Sequence, residues 1–271
     1  MEKFVLTNEN YYSQEANLKY MSVSQFKDFK ECEVMALAKI KGEYVEEKTD
    51  ALIFGGYIDA YFSGELDTYV EENKDRLFNS RTGELKAPFK DIPTVIKTIE
   101  DDDFFLSFHK GKPQVIITGK IGGVLFKAKS DFLFNDKIVD QKIMKDMKKM
   151  WLEKLHRYGD FIECYGYDTQ GSVYQELARQ RLGERLPFII AATTKEEVPD
   201  KALIQIDQEY LDQALEEVKE LAPRYDLIKR GLLEPVGCGN CPVCRARKKL
   251  TQVMSYKEMF KKGETNEENI E

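Results

Sequence analysis

Residues 119–142, GKIGGVLFKAKSDFLFNDKIVDQK, constrain the fold of this chain more than any other stretch. β-Branched and aromatic residues fill three runs, and a Gly-Gly pair and an Asn-Asp pair separate them, which predicts strand, tight turn, strand, tight turn, strand. With Asn135 and Asp136 as a two-residue hairpin loop, Phe134 pairs with Lys137, Leu133 with Ile138 and Phe132 with Val139, so Asp131 falls opposite Asp140. The side-chain period of two then sets Lys129 and Lys142 on the face of those aspartates and turns Phe132, Phe134 and Val139 to the other. Opposed residues have Cβ atoms roughly 5 Å apart, where like charges repel; a cation between Asp131 and Asp140 resolves the conflict.

Around this core, Ser22 or Ser24 caps a helix over about 25–41 that contains Cys32. Residues 49–62 read as a buried helix with a Gly-Gly pair and one acid, Asp59, which needs a partner because an unpaired buried carboxylate is costly. Residues 1–20 read as an extended lead-in, and 63–110 as helices and loops in which His109 is structural. Residues 146–158 read as an amphipathic helix with Met147, Met150, Trp151 and Leu155 on one side and His156 near its C-terminal end. On the helix over 168–182, Gln170 and Tyr174 are spaced i, i+4 and share a face. Strands follow at 186–193 and 202–206, then a helix at 208–221, and a polar tail from about 256 to 271 frays. This order predicts an α/β fold: one domain over 1–271 with a central mixed β-sheet flanked by helices.

Hydrophobic residues at 42% and charged residues at 33% describe a soluble globular chain, and no apolar run approaches the ~20 residues of a membrane span. The N-terminus leads into no secretory signal, so a cytoplasmic location is expected and no membrane partner. A net charge of −7 argues against coating nucleic acid by bulk charge. It leaves room for a local basic groove, for which Lys127, Lys129, Arg179, Arg181 and residues 245–249 are available. The five cysteines read as metal ligands or core thiols, not as a disulfide framework. Cys238-Gly-Asn-Cys241-Pro-Val-Cys244 places three thiols at metal-binding spacing, and a tetrahedral or cubane site needs a fourth. Cys164 lies outside that run and reads as a core thiol.

Acid-x-Lys triplets are common in so charged a chain: Glu46-Glu47-Lys48, Asp146-Met147-Lys148 and Glu217-Val218-Lys219 all match. Asp140-Gln141-Lys142 differs by closing an apolar strand with Asp131 in the strand paired to it. That setting suits phosphodiester hydrolysis with Mg²⁺ or Mn²⁺, hard cations that take oxygen ligands and acidify water. The main-chain carbonyl of Gln141 adds a ligand, and Lys142 would position or help deprotonate the attacking water.

At these residues the chain resembles the PD-(D/E)xK nuclease superfamily, in the branch of RecB-type and RecE-type (exodeoxyribonuclease VIII-like) phage exonucleases. The resemblance is carried by SVSQFKDFKEC, by FGGYIDAYF, by the hairpins, by a helix with Tyr167, Gln170 and Tyr174, and by the terminal cysteines. It implies a restriction endonuclease-like core in which Asp131 and Asp140 hold the metal, Lys142 is catalytic, and Gln170 and Tyr174 organise the site. Asp59 stands where the family often has a metal-binding histidine, and Gln114 where some members have a glutamate. Cys32 is the candidate fourth ligand to Cys238, Cys241 and Cys244, in the arrangement that some RecB-related nucleases use for a [4Fe–4S] cluster; Zn²⁺ or an empty site are the alternatives. The implied function is a metal-dependent exonuclease that acts on duplex DNA ends or single strands and resects ends in phage or prophage recombination, beside a single-strand annealing protein. The rival reading is a catalytically inactive nuclease-fold protein that binds nucleic acid or scaffolds, which Asp59 in the histidine's place favours. Assembly into a homo-oligomer stays open.

Overall fold

The protein is described from a computed structural model, covering residues 4–152, 156–253 and 255–257. The central hairpins form as the sequence predicts. β1 (Lys112–Ile121) turns into β2 (Val124–Leu133) through Gly122 and Gly123, whose φ angles of 56° and 81° place both in the left-handed region. A two-residue turn of that kind matches strand twist, and only glycine adopts it freely at both positions. In the second turn Phe134 N–H donates to the Lys137 carbonyl at 2.9 Å, and Leu133 pairs with Ile138 and Phe132 with Val139, which starts β3 (Ile138–Met144) in the expected register.

β6 (Phe188–Thr194) runs parallel to β3, and β7 (Lys201–Gln205) antiparallel to β6. The result is a mixed five-stranded sheet of order β1-β2-β3-β6-β7. Helices cover both faces. On one, α2 (Val23–Glu31), α3 (Glu33–Lys41), α9 (Tyr167–Leu182) and α10 (Gln208–Lys229) bury Phe26, Phe29, Leu177 and Val218 against Phe126, Ala128, Ile138 and Ile190. On the other, α4 (Asp50–Ser63), α6 (Ile92–Glu100) and α7 (Asp103–Ser107) bury Phe54, Ile58, Val95 and Phe105 against Phe132, Val139 and Ala191. α5 (Leu66–Leu77) packs along α4. Among the described residues no helix is long and apolar enough to cross a membrane.

Three expectations are corrected. The helix expected over 25–41 is two helices, because Cys32 is extended (φ −165°, ψ 111°) and serves as the last cap of α2 and the first of α3. Ser22 caps α2, its Oγ accepting from Gln25 N–H at 3.2 Å. The N-terminal stretch is not wholly extended, since Ser13 caps a short helix, α1 (Gln14–Lys19). Residues 146–158 do not form a helix: β4 (Met150–Leu152) and β5 (Arg157–Gly159) make a hairpin in which Trp151 pairs with Tyr158, their rings edge to face at 5.3 Å. Cross-strand aromatic pairing wins there over a weak helical period. His156 has φ 46° immediately before β5 and so is not a helix-end charge; residues 153–155, with Leu155, lie outside the described residues, as do 258–271 of the tail.

A candidate active site at a fork in the sheet

The β2–β3 ladder stops after Phe132 and Val139. From there β2 stays with β1, pairing Ser130 with Val115 and Lys129 with Ile116, while β3 leaves with β6, pairing Asp140 with Ile190 and Lys142 with Ala192. The sheet forks, and Asp131 and Asp140 stand at the opening. They are not the directly bonded ladder pair that the register predicts. Instead the Asp131 carboxylate bridges the fork, its Oδ2 accepting the Gln141 N–H at 2.9 Å.

The predicted site residues arrive here from four elements, α4, β2, β3 and α9. Asp140, 2% exposed, accepts at Oδ1 from Gln170 Nε2 on α9 at 2.7 Å and meets the Lys142 ammonium at Oδ2. Tyr174, one turn along α9, donates its hydroxyl to the Lys129 carbonyl at 3.2 Å. Asp59, from α4, accepts from the Gln141 side chain at 2.7 Å. Gln141 thus carries a side-chain contact beside the main-chain role expected of it, and it is the partner that Asp59 required. Asp59, Asp131, Asp140, Lys142, Gln170, Tyr174 and Gln114 line one open cleft of 1170 Å³. That volume exceeds the usual span of small-molecule pockets and suits a polymer.

The electrostatics are those of an acid-rich site with one strong cation. Burial pushes Asp59 up to about 7 against the pull of Lys142, and the Asp140 charge adds to the rise. Asp131 is held well above the carboxylate range by burial and by the charges of Asp140 and Asp59. Burial opposes the Lys142 ammonium, but Asp140 and Asp131 outweigh it, so its pKa is raised above the ordinary lysine value. Mutually repelling carboxylates that resist ionisation are a donor set waiting for positive charge.

The basic residues divide differently from expectation. Lys127 borders the cleft as expected, but it is 1% exposed and donates to the Tyr11 carbonyl and, at 2.8 Å, to Asn17 Oδ1, so it pins the N-terminal stretch. Arg179 pairs with Glu176, and Arg181 donates to the Ile116 carbonyl. Lys129 lines the cleft as expected, and Lys27 joins it. Lys27 donates to the Tyr165 carbonyl, at the end of α8 (Phe161–Tyr165), at 2.7 Å; burial and then Lys142 lower its pKa to about 8. Nothing local marks Lys27 in the sequence, since it faces the cleft only because α2 packs beside α9. His109 is structural: it is packed among Phe62, Phe105 and Phe132, and burial lowers its pKa to about 4.

The cysteines also converge. Cys32, at the α2–α3 junction, meets Cys238, Cys241 and Cys244 at the start of α11 (Pro242–Arg247), with all four sulfurs within 4.8 Å of one another. Cys32 Sγ lies 3.5 Å from Cys244 Sγ and 3.7 Å from Cys241 Sγ. Backbone N–H groups of Asn240 and Cys241 lower the Cys238 thiol to about 6. Arg224 and Glu33 brace the junction with hydrogen bonds of 2.6 and 2.9 Å, and Glu33 also accepts from Val236 N–H.

A forked mixed sheet with helices on both faces, two aspartates at the opening and a lysine two residues beyond the second defines the restriction endonuclease-like fold of a PD-(D/E)xK nuclease. Residues 22–247 match the PDDEXK-like domain of unknown function (DUF3799), and the chain belongs to that family. It is similar to the crystal structure of "Putative exonuclease" from Eubacterium rectale, at 41% identity and a TM-score of 0.89 over 95% of this chain and 98% of that one. The crystal structure of SSO0001 aligns at 13% identity and a TM-score of 0.25, over 70% of this chain and 84% of that one, and carries no argument. No curated protein matches the chain.

Proposed function

We propose that this nuclease is a Mg²⁺- or Mn²⁺-dependent exodeoxyribonuclease that shortens duplex DNA from its ends, serving phage or prophage recombination beside a single-strand annealing protein. The observation that carries the reading is the fork: Asp131 and Asp140 at its opening, with Lys142 against Asp140. Likeness to a protein described as an exonuclease over nearly the whole chain supports attack at ends.

The donors fit a hard divalent cation, since Asp131, Asp140, Asp59 and the Gln141 carbonyl offer only oxygen. When bound, the cation would neutralise phosphate charge and acidify a water. The chain's own residues do the rest. Lys142, an ammonium against Asp140 in the cation-free protein, would position the attacking water and stabilise the negative charge that grows on the phosphate oxygens. Gln170 fixes the rotamer of Asp140, and Tyr174 locks the β2 backbone behind Lys129.

Linear and covalently closed circular duplexes, each with and without Mg²⁺, test the reading on the wild type, Asp140→Ala and Lys142→Ala. Digestion of the linear form only, requiring the cation and falling by on the order of 1,000-fold in both variants, is expected. Equal digestion by all three proteins overturns it, and digestion by none returns the non-catalytic scaffold reading.

We further propose that Cys32, Cys238, Cys241 and Cys244 hold a resident metal centre that ties the α2–α3 junction to the C-terminal segment. Sulfur spacings of 3.5 and 3.7 Å suit one tetrahedral ion, whose Zn–S bonds of about 2.3 Å imply sulfur separations of about 3.8 Å. The [4Fe–4S] cluster implied by the resemblance needs the thiolates farther apart. Zinc by elemental analysis without visible absorbance supports the single ion; iron, sulfide and a band near 400 nm after anaerobic purification support the cluster.

A further inference from the structure

Two neighbouring tyrosines ahead of α1 are treated oppositely by the fold. Tyr11 and Tyr12 meet edge to face, 4.9 Å between centroids. Tyr11 is 6% exposed, with the Lys127 ammonium 4.5 Å from its ring, whereas Tyr12 is 71% exposed. Tyr12 is nevertheless held. Its carbonyl accepts from Asn17 Nδ2 at 3.2 Å, and the Lys129 ammonium lies 5.1 Å from its ring centroid. Its ring belongs to the wall of the cleft that holds Asp131, Asp140 and Lys142. Lys129 is two residues before Asp131 on β2, which sets Tyr12 on the Asp131 side of the fork.

The other tyrosines of the cleft wall are less open: Tyr11 is buried, and Tyr69 and Tyr174 are half-buried with their hydroxyls engaged on the Ile53 and Lys129 carbonyls. Among the described residues, Tyr12 is the exposed aromatic side chain of the cleft wall. An open ring, backed by a second aromatic and flanked by a cation, is what single-strand binders present to a nucleobase, because every base has a π-face and phosphate lies beside it.

We infer that Tyr12 is the nucleobase platform of this nuclease, stacking on the base of the nucleotide whose phosphate lies at Asp131 and Asp140, with Lys129 countering the adjoining phosphate. The inference rests on the nuclease reading and adds a substrate-binding residue that recognises a base without reading its identity. Stacking needs the ring and not the hydroxyl.

The test compares wild type, Tyr12→Phe and Tyr12→Ala on linear duplexes with ordinary ends and with abasic nucleotides at both termini of both strands. On ordinary ends Tyr12→Ala loses on the order of 10- to 100-fold in kcat/KM and Tyr12→Phe stays within about twofold. On abasic ends all three converge. A parallel arm without catalysis titrates oligonucleotides carrying terminal 2-aminopurine in Ca²⁺, where wild type and Tyr12→Phe quench the fluorescence and Tyr12→Ala does not. Unfolding midpoints of all three should coincide, since the ring is exposed. Wild-type rates in Tyr12→Ala, an undiminished penalty on abasic ends, or equal impairment of Tyr12→Phe overturns the inference. Should the wild type digest nothing, the nuclease reading falls, and the fluorescence arm decides Tyr12 by itself: no Tyr12-dependent quench, no platform.

Discussion

Gln170 on α9 and Asp140 on β3 are joined by a 2.7 Å hydrogen bond across 30 positions of chain. Asp140 is too buried for water to replace that donor. Gln170→Ala should therefore leave the fold intact and lower cleavage about 10- to 100-fold, the range for losing a group that orients a metal ligand. Gln170→Glu, which adds a fourth carboxylate to Asp59, Asp131 and Asp140, should be worse than alanine. Rates measured across a Mg²⁺ titration check both.

Burial, with the Asp140 charge beside it, pushes Asp59 up to about 7. Asp59→Asn keeps an oxygen for the Gln141 amide and removes the charge. The variant should need about 10-fold or more extra Mg²⁺ for half-maximal cleavage and, stripped of metal at pH 7.5 or above, should melt at a higher temperature than wild type. A lower melting temperature would show that the charge is already balanced in the cation-free protein.

Gly171 follows Gln170, and a Cβ there would sit 2.7 Å from Phe188 Cδ1 and 2.9 Å from Leu211 Cδ2. Alanine gains about 1 kcal/mol of helix propensity, while overpacking a fixed core costs about 1–3 kcal/mol. Phe188 is fully buried and cannot yield, so Gly171→Ala should be net destabilising and should also weaken cleavage by shifting Gln170. Denaturant midpoint and rate, measured together, test this.

Lys229 donates to the Tyr20 carbonyl and Gln25 Oε1 at 2.7 and 2.9 Å, and burial lowers its pKa to about 7; burial lowers Lys127 to about 8. Unfolded lysine titrates near about 10.4. Between about pH 7 and 10 the unfolded chain holds protons that the folded chain has released, so stability rises with pH across that window and gains nothing below it. Melting temperatures from pH 6.5 to 9.5 should climb in the wild type and climb less in Lys229→Met. Parallel curves would place the slope elsewhere.

Much of this was legible in residues 119–142, where turn chemistry and alternation fix register locally: the Gly-Gly turn, the Asn-Asp turn and the Phe132–Val139 pair all stand as read. The i, i+4 spacing of Gln170 and Tyr174 likewise delivers both side chains to the sheet. What escaped depends on distant packing. No local signal breaks the helix at Cys32, where the extended residue brings its sulfur to the C-terminal thiols. Nor could spacing reveal that the Gln141 side chain would meet Asp59, 82 positions away, or that Tyr12 would share a cleft with Asp131. The 146–158 hairpin failed for another reason, since four apolar residues in so short a run fit either period and a cross-strand ring pair decides.

The meeting of Cys32 and Cys244 spans 212 positions. Closing so large a loop carries a high entropic toll during folding, and the contact cannot form until the ribosome has released the last cysteine. The α2–α3 corner, whose Lys27 borders the cleft, therefore gains its latch late, after the central hairpins have paired through contacts only a few residues apart. A nascent chain would own its acidic fork before it owned a finished wall beside it, and the cleft matures only once Cys238, Cys241 and Cys244 have emerged.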